Sequence, residues 1–200
     1  MKFRNLTILA SVAAIGLSAC GSDHSNMSMD STAGTATTLA PVAGAVFNDA
    51  DVEFAQGMIP HHEQAIEMAD IALDPTVGAS DQVKDLATRI KGAQDPEIQL
   101  LTGWLTAWGQ PLAMDTSEGH EMSTMEGMMS ADEMDALAAA KGPDFDKLWQ
   151  EMMIRHHTGA IAMAQAEKAN GSNPDAIALA GQIIAAQQAE IDEMNAALAG

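Results

Sequence analysis

The sequence holds a single cysteine, Cys20, so no intramolecular disulfide can form. Basic residues are scarce as well: nine Lys and Arg stand against 28 Asp and Glu, for a formal net charge of −19. A chain of this sign repels nucleic acid and anionic membrane surfaces, and it lacks the basic patch that a nucleic-acid binder needs. The same field concentrates cations. There is no glycine-rich phosphate loop, and no Ser/His/Asp or Cys/His arrangement that reads as catalytic. The apolar run from Leu6 to Leu17 is too short to span a bilayer comfortably.

That run has another reading. Lys2 and Arg4 precede it, and Leu17-Ser18-Ala19-Cys20 follows it in the form of a bacterial lipobox. A charged start, a short apolar stretch and small residues at a cleavage point make an export signal. The expectation is a signal peptide over 1–19 and an acylated Cys20 that anchors the exported protein to a membrane, facing the periplasm or the cell exterior. Lipid would be its only membrane contact. Residues 20–46 are rich in Ser, Thr, Ala and Gly and read as a flexible tether, with His24, Met27 and Met29 inside it.

The densest chemistry lies in Met58-Ile59-Pro60-His61-His62, followed by Ala65-Ile66 and Met68-Ala69. The pattern recurs at Met153-Ile154-Arg155-His156-His157, with Ala160-Ile161 and Met163-Ala164. On a helix, Phe54, Met58, His61, His62, Ala65, Met68 and Ala69 share one face, while Glu63, Glu67 and Asp70 fall outside it. Both histidines therefore belong to the buried stripe. Methionines and alanines at this spacing also serve as ordinary core residues. Adjacent histidines with the same flanking methionines, twice in one chain, are harder to assign to packing. Thioether sulfur and neutral imidazole suit copper(I) and related soft ions. The candidate metal ligands are Met58, His61, His62, Met68, Met153, His156, His157 and Met163.

Four long helices are expected. The first starts near Asp49 or Asp51, either of which can cap it, and stops at Asp74-Pro75. Pro60 lies inside it and removes a backbone donor, so a kink is expected. The second runs from Ser80 or Asp81 to about Trp108, with Leu86, Ile90, Ala93, Leu100, Leu101 and Trp104 as its stripe and Glu97 in its midst. Gly92 and Pro96 suggest a further bend. A short helix over 131–141 has Ser130 and Glu133 as a capping box, closed by Gly142-Pro143. The third long helix starts at Asp144 and ends at Asn170-Gly171. The fourth opens on Asn173-Pro174 and runs to about Leu198, along Leu179, Ile183, Ala186, Met194 and Ala197, with Glu190 among them.

The segment 112–130 is polar and aperiodic, yet it carries Met114, His120, Met122, Met125, Met128 and Met129. A mobile Met/His capture arm is one reading, and methionines docked onto the bundle are the other. The accessory metal residues on the first reading are His120, Met122, Met125, Met128 and Met129.

The repeat extends to the second helix of each half. Leu86, Ile90, Gln94, Glu97 and Ile98 match Leu179, Ile183, Gln187, Glu190 and Ile191. Residues 47–200 are thus expected to form an all-α, ferritin-like four-helix bundle: two αα-hairpins with a long crossover over 109–143. Di-iron proteins of that architecture use Glu-x-x-His pairs. Here Met58 and Met153 occupy the glutamate positions, which replaces hard oxygen by soft sulfur. Glu97 and Glu190 are candidates for holding imidazole N–H groups behind the ligands; a buried polar pairing, with Arg89 for instance, is the other reading.

Met-Ile-Pro-His-His-x-x-Ala-Ile-x-Met-Ala, Ala-Gln-x-x-Glu-Ile and Phe-Asp-x-x-Trp-x-x-Met-Met-Ile-x-His-His-x-x-Ala-Ile-x-Met-Ala resemble the exported bacterial family called domain of unknown function 305. The resemblance covers about 47–200 and includes both copies in order. It implies a ferritin-like helical fold, copper binding and copper tolerance, and a role for the eight Met and His residues named above. It implies no enzymatic activity. Copper(I) buffering or delivery leads, to a copper-handling partner protein or within a homo-oligomer. A ferritin-like metal oxidase using Glu97 and Glu190 as ligands and a non-metal interaction module fit the same residues.

Overall fold

The computed structural model of the protein describes residues 46–114 and 125–200. Cys20, the leader, the tether up to residue 45, His120 and Met122 lie outside the described residues. Five helices form: α1 (Asp49–Leu73), α2 (Asp81–Trp108), α3 (Ala131–Ala139), α4 (Gly142–Asn170) and α5 (Pro174–Ala199). No strand occurs among the described residues. α1 packs along α2 and α4 along α5, and α1 faces α4. The two Met/His helices thereby meet in the middle of an all-α bundle. α3 belongs to the crossover and touches both α1 and α4.

The helix ends follow local chemistry, with some departures from expectation. Asn48, not Asp49 or Asp51, caps α1. Its side chain accepts from Asp51 N–H, and Asp51 returns the bond to Asn48 N–H, a reciprocal capping box. Asp51 is instead fixed as the third residue of the helix. Ser80 caps α2, and Gly109 ends it in the left-handed region at φ 69°. α2 continues through Gly92 and Pro96, and α1 through Pro60, without loss of helical assignment. α3 ends at Ala139, and Gly142-Pro143 opens α4 rather than closing α3. Proline is suited to this place, where its missing N–H has no intrahelical partner.

The expected stripes are off by one residue at two matched positions. Ala93 and Ala186 are exposed, and their neighbours Gln94 and Gln187 are buried instead. The reason is visible in the core, which divides into two apolar clusters. One gathers Met68, Leu86, Ile90, Phe145, Trp149, Met153 and Met194. The other gathers Phe54, Met58, Leu101, Trp104, Leu179 and Ile183. On every long helix the break between clusters is polar: His61 and His62 on α1, Gln94 and Glu97 on α2, His156 and His157 on α4, Gln187 and Glu190 on α5. A polar layer thus crosses the bundle between two apolar blocks, and hydropathy alone cannot place it.

Far from this layer, α1 is tied to the α4–α5 turn. Asp51 is fully buried and accepts from the backbone N–H groups of Ser172, at 3.2 Å, and Asn173, at 2.9 Å. The Glu167 carboxyl lies beside it, 1% exposed. Without a proton between them, neither Glu167 oxygen has a hydrogen-bond donor. Burial, then hydrogen bonding to Asp51, pushes the Glu167 carboxyl from 4.5 up to about 8. Gly171 is required here for space, since a Cβ would overlap the Glu167 carboxyl.

A raised carboxyl pKa means the folded chain holds a proton that the unfolded chain has lost. The stability it gives is complete below pH 4.5 and is lost as pH rises to about 8. Between about pH 7 and 8 we expect the melting temperature to fall, and Glu167→Gln to remove most of that slope. A wild-type slope retained in the variant would place the proton elsewhere.

Candidate metal centre

All four motif histidines are fully buried. They arrive from opposite helices because the repeat puts each His-His pair on the inward face of its own long helix. The His61 and His156 rings lie 3.8 Å apart, centroid to centroid, tilted by 43°. His62 and His157 turn toward their own hairpin partners. His62 Nε2 is 2.7 Å from Glu97 Oε2, and His157 Nε2 is 2.8 Å from Glu190 Oε2. The two contacts are equivalent under the repeat. A carboxylate only accepts, so each Nε2 carries a proton, and in the neutral ring Nδ1 is the nitrogen with a free lone pair. Arg89 is not the partner of either glutamate; it pairs with Asp85 and Glu193 at the surface.

The symmetry breaks at the inner pair. His61 Nε2 donates to the carbonyl of Glu126 at 3.3 Å, whereas neither nitrogen of His156 has a partner. His61, His62 and His157 each leave Nδ1 unpartnered. Five buried imidazole nitrogens therefore have no hydrogen bond within the protein. Gln94 Oε1 and Gln187 Oε1, both buried, have none either. Buried polar atoms are satisfied in the great majority of cases, so such a concentration calls for a ligand. Burial, then the charge of neighbouring His62, lowers the His61 pKa to about 3. Burial, then His61, holds His156 well below its ordinary value. His61 and His156 are therefore neutral in ordinary buffers.

Among the described residues, no group of three or more His, Cys, Asp or Glu is arranged to hold an ion. A closed-shell soft ion that accepts few ligands suits this donor set better than one demanding a full oxygen shell. The methionines distribute unevenly. Met68 and Met153 are buried in one apolar cluster and Met58 in the other. Trp149 Nε1 donates to the Met68 carbonyl at 2.9 Å, fixing α4 on α1. Met163, the repeat partner of Met68, is only half-buried.

Part of the crossover docks on this centre. Gln64 clamps Met129 through both backbone groups, at 2.9 and 2.7 Å. Met129 is buried, and its sulfur accepts from Arg155, which also pairs with Glu133. Met129 is thus a docked residue rather than part of a free arm. Met125 and Met128 are half-buried in the turn before it. Gly127 and Gly159 allow the close approach. A Cβ on Gly127 would sit 2.8 Å from the Arg155 carbonyl, and one on Gly159 would overlap the Glu126 carbonyl. Gln94, Gln187 and the Glu126 carbonyl are the site groups that sequence reading missed. The glutamines were signalled by their match in both copies; a backbone carbonyl leaves no sequence signal.

A helical bundle with a duplicated His-His pair in a polar mid-layer is the class of protein that these features define. The profile of the family described as Domain of unknown function (DUF305) matches residues 51–198, and the chain belongs to that family. Solved structures agree. A DUF305 protein from Streptomyces coelicolor is 30% identical, with 75% of this chain and 92% of that one covered, at a TM-score of 0.69. A DUF305 fragment from Deinococcus radiodurans is 31% identical, with 76% and 97% covered, at 0.67. CopM in its Cu(I)-bound form is 33% identical, with 72% and 92% covered, at 0.60. CopM structures also exist in Cu(II)-bound and Ag-bound forms. A comparison with the curated proteins returned no match.

Gly159→Ala tests the docking. We expect the added methyl to displace residues 125–129 and to cost about 1–3 kcal/mol of stability, the usual range for an overpacked contact. Unchanged denaturant unfolding would mean that the crossover does not rest on α4.

Proposed function

We propose that this protein is an exported, lipid-anchored binder of copper(I) that buffers or hands on the ion. The observation that carries the reading is the set of five unpartnered imidazole nitrogens in a buried layer, supplied by the duplicated His-His motif. The candidate ligands are drawn from His61, His62, His156 and His157, two at a time, since no three of them surround one point. Glu97 and Glu190 fix the outer pair in one tautomer and present their Nδ1 lone pairs, the role that carboxylates play behind metal-bound histidines. The Cu(I)-, Cu(II)- and Ag-bound forms of CopM support a copper cargo, and the uncharged donor set favours the monovalent state. Export is supported by the leader and by the Streptomyces neighbour, described as a candidate secreted protein. Anchoring rests on the lipobox cysteine, Cys20.

A ferritin-like oxidase is the weaker reading. Glu97 and Glu190 each spend an oxygen on an imidazole N–H, and Met replaces Glu at the positions preceding the histidines. Met58, Met68 and Met153 line the apolar blocks beside the layer and keep water from it.

A copper(I) competition titration under reducing conditions tests the proposal. Replacing His61, His62, His156 and His157 by Ala is expected to abolish tight binding, and Glu97→Gln with Glu190→Gln to weaken it about 10–100-fold. Copper(I) or silver(I) should raise the melting temperature of the wild type, because a ligand of the native state must do so. Unchanged affinity in the four-histidine variant, or tighter binding of zinc(II) or iron(II), would refute the assignment.

A further inference from the structure

The two halves of the repeat differ at one buried position with a physical consequence. Gly57 on α1 corresponds to Met152 on α4, one residue before the Met-Ile-x-His-His run in each copy. The glycine is helical and buried, so no turn or positive φ requires it. Its missing side chain leaves a hollow, and three methionines fill it. A Cβ built on Gly57 would lie 3.3 Å from Met114 Cε, 3.4 Å from Met163 Sδ and 3.5 Å from Met125 Cε. The sulfur of Met163 and the terminal methyls of Met114 and Met125 thus meet around one point, with the other two sulfurs one bond behind. They come from three places: the start of the crossover, its return, and α4.

Packing accounts for this poorly. All three side chains are half-buried, Met163 at the edge of the second apolar cluster, whereas Met68, its repeat partner, is fully buried in the first. A hollow filled only for packing is more simply closed by a larger residue at position 57, and the other copy carries the buried Met152 there. Thioethers carry no proton to lose and no charge, so a convergent trio selects soft monovalent ions over hard divalent ones.

The surroundings supply a route. A cavity of about 170 Å³ is lined by Ala50, Glu53, Phe54, Met163, Glu167 and Asn170. Met163 belongs to both the cavity and the trio. Along α1, Glu53, Gly57 and His61 succeed one another at four-residue intervals on one face. An exposed carboxylate, a thioether trio and the buried imidazoles therefore stand in order on consecutive turns.

We propose that Met114, Met125 and Met163 form a separate thioether site for copper(I) or silver(I), from which the ion passes to the histidine layer. The site stands on its own geometry; only its role as a loading step rests on the histidine reading above.

The test uses the full chain carrying Cys20→Ser, so that no thiol competes, labelled with ¹³C at the methionine methyls. Silver(I) is added as a redox-inert probe, and zinc(II) as the hard-ion control. The methyl signals of Met114, Met125 and Met163 are expected to shift together with silver(I) and not with zinc(II), in the parent and in the four-histidine variant alike. Native mass spectrometry should count one silver fewer when the three are replaced by Leu with the histidines intact. If silver binds but these methyls stay still, the trio is packing and the histidine reading survives. If they shift only when the histidines are present, they sense the histidine site and the separate site is refuted. If no silver binds in any variant, both readings fall. Should the four-histidine variant fail to fold, the count in the three-leucine variant decides alone: an unchanged silver number overturns the trio.

Discussion

The structure depends on keeping a polar layer inside an otherwise apolar bundle. Four imidazoles, two glutamines and two half-buried carboxylates cross the core between two apolar clusters. Such groups oppose folding unless they find partners. The hairpin geometry satisfies one nitrogen of each outer histidine, where Glu97 and Glu190 accept from His62 and His157. The other nitrogen of each, three of the four nitrogens of the inner pair, and both glutamine oxygens stay without a partner. On the function proposed above, stability and binding meet at the same residues.

The internal repeat explains why this arrangement is economical to build, and its breaks explain how it is asymmetric. One hairpin duplicated brings two His-His pairs face to face without any motif for their encounter. The crossover cannot obey the two-fold relation, since the chain has one of it. Its described residues 125–129 serve the two halves unequally, lending the Glu126 carbonyl to His61 and leaving His156 without a partner. The glycines on that side, Gly57, Gly127 and Gly159, admit crossover side chains or backbone close to the helices. Arg155, which stands where the first copy has Pro60, holds Met129 and Glu133 from the opposite helix.

Methionine plays two roles that composition does not separate. Met68, Met153 and Met194 are fully buried in the cluster that holds Trp149, Leu86 and Phe145. Met114, Met125 and Met163 are half-buried and converge on an absent side chain. The distinction is one of exposure and convergence, so it emerges only when the crossover is placed on the bundle.

Much was fixed by the sequence alone. Helical periodicity, the 58–69 and 153–164 repeat and the matched Glu97 and Glu190 determined an all-α pair of hairpins with inward histidines, because a buried helical face leaves a regular spacing. The cap at Asn48 and the start of α4 at Gly142 were less legible, since several neighbouring residues can serve as caps and tertiary contacts choose among them. Gln94 and Gln187 were left out of the buried stripes because hydropathy prefers the adjacent alanines. The tertiary structure decided which histidine nitrogens stay unpartnered, how residues 125–129 dock, and which methionines gather at Gly57. Those outcomes depend on backbone carbonyls and on the space left by glycine, and neither has a signature in the order of side chains.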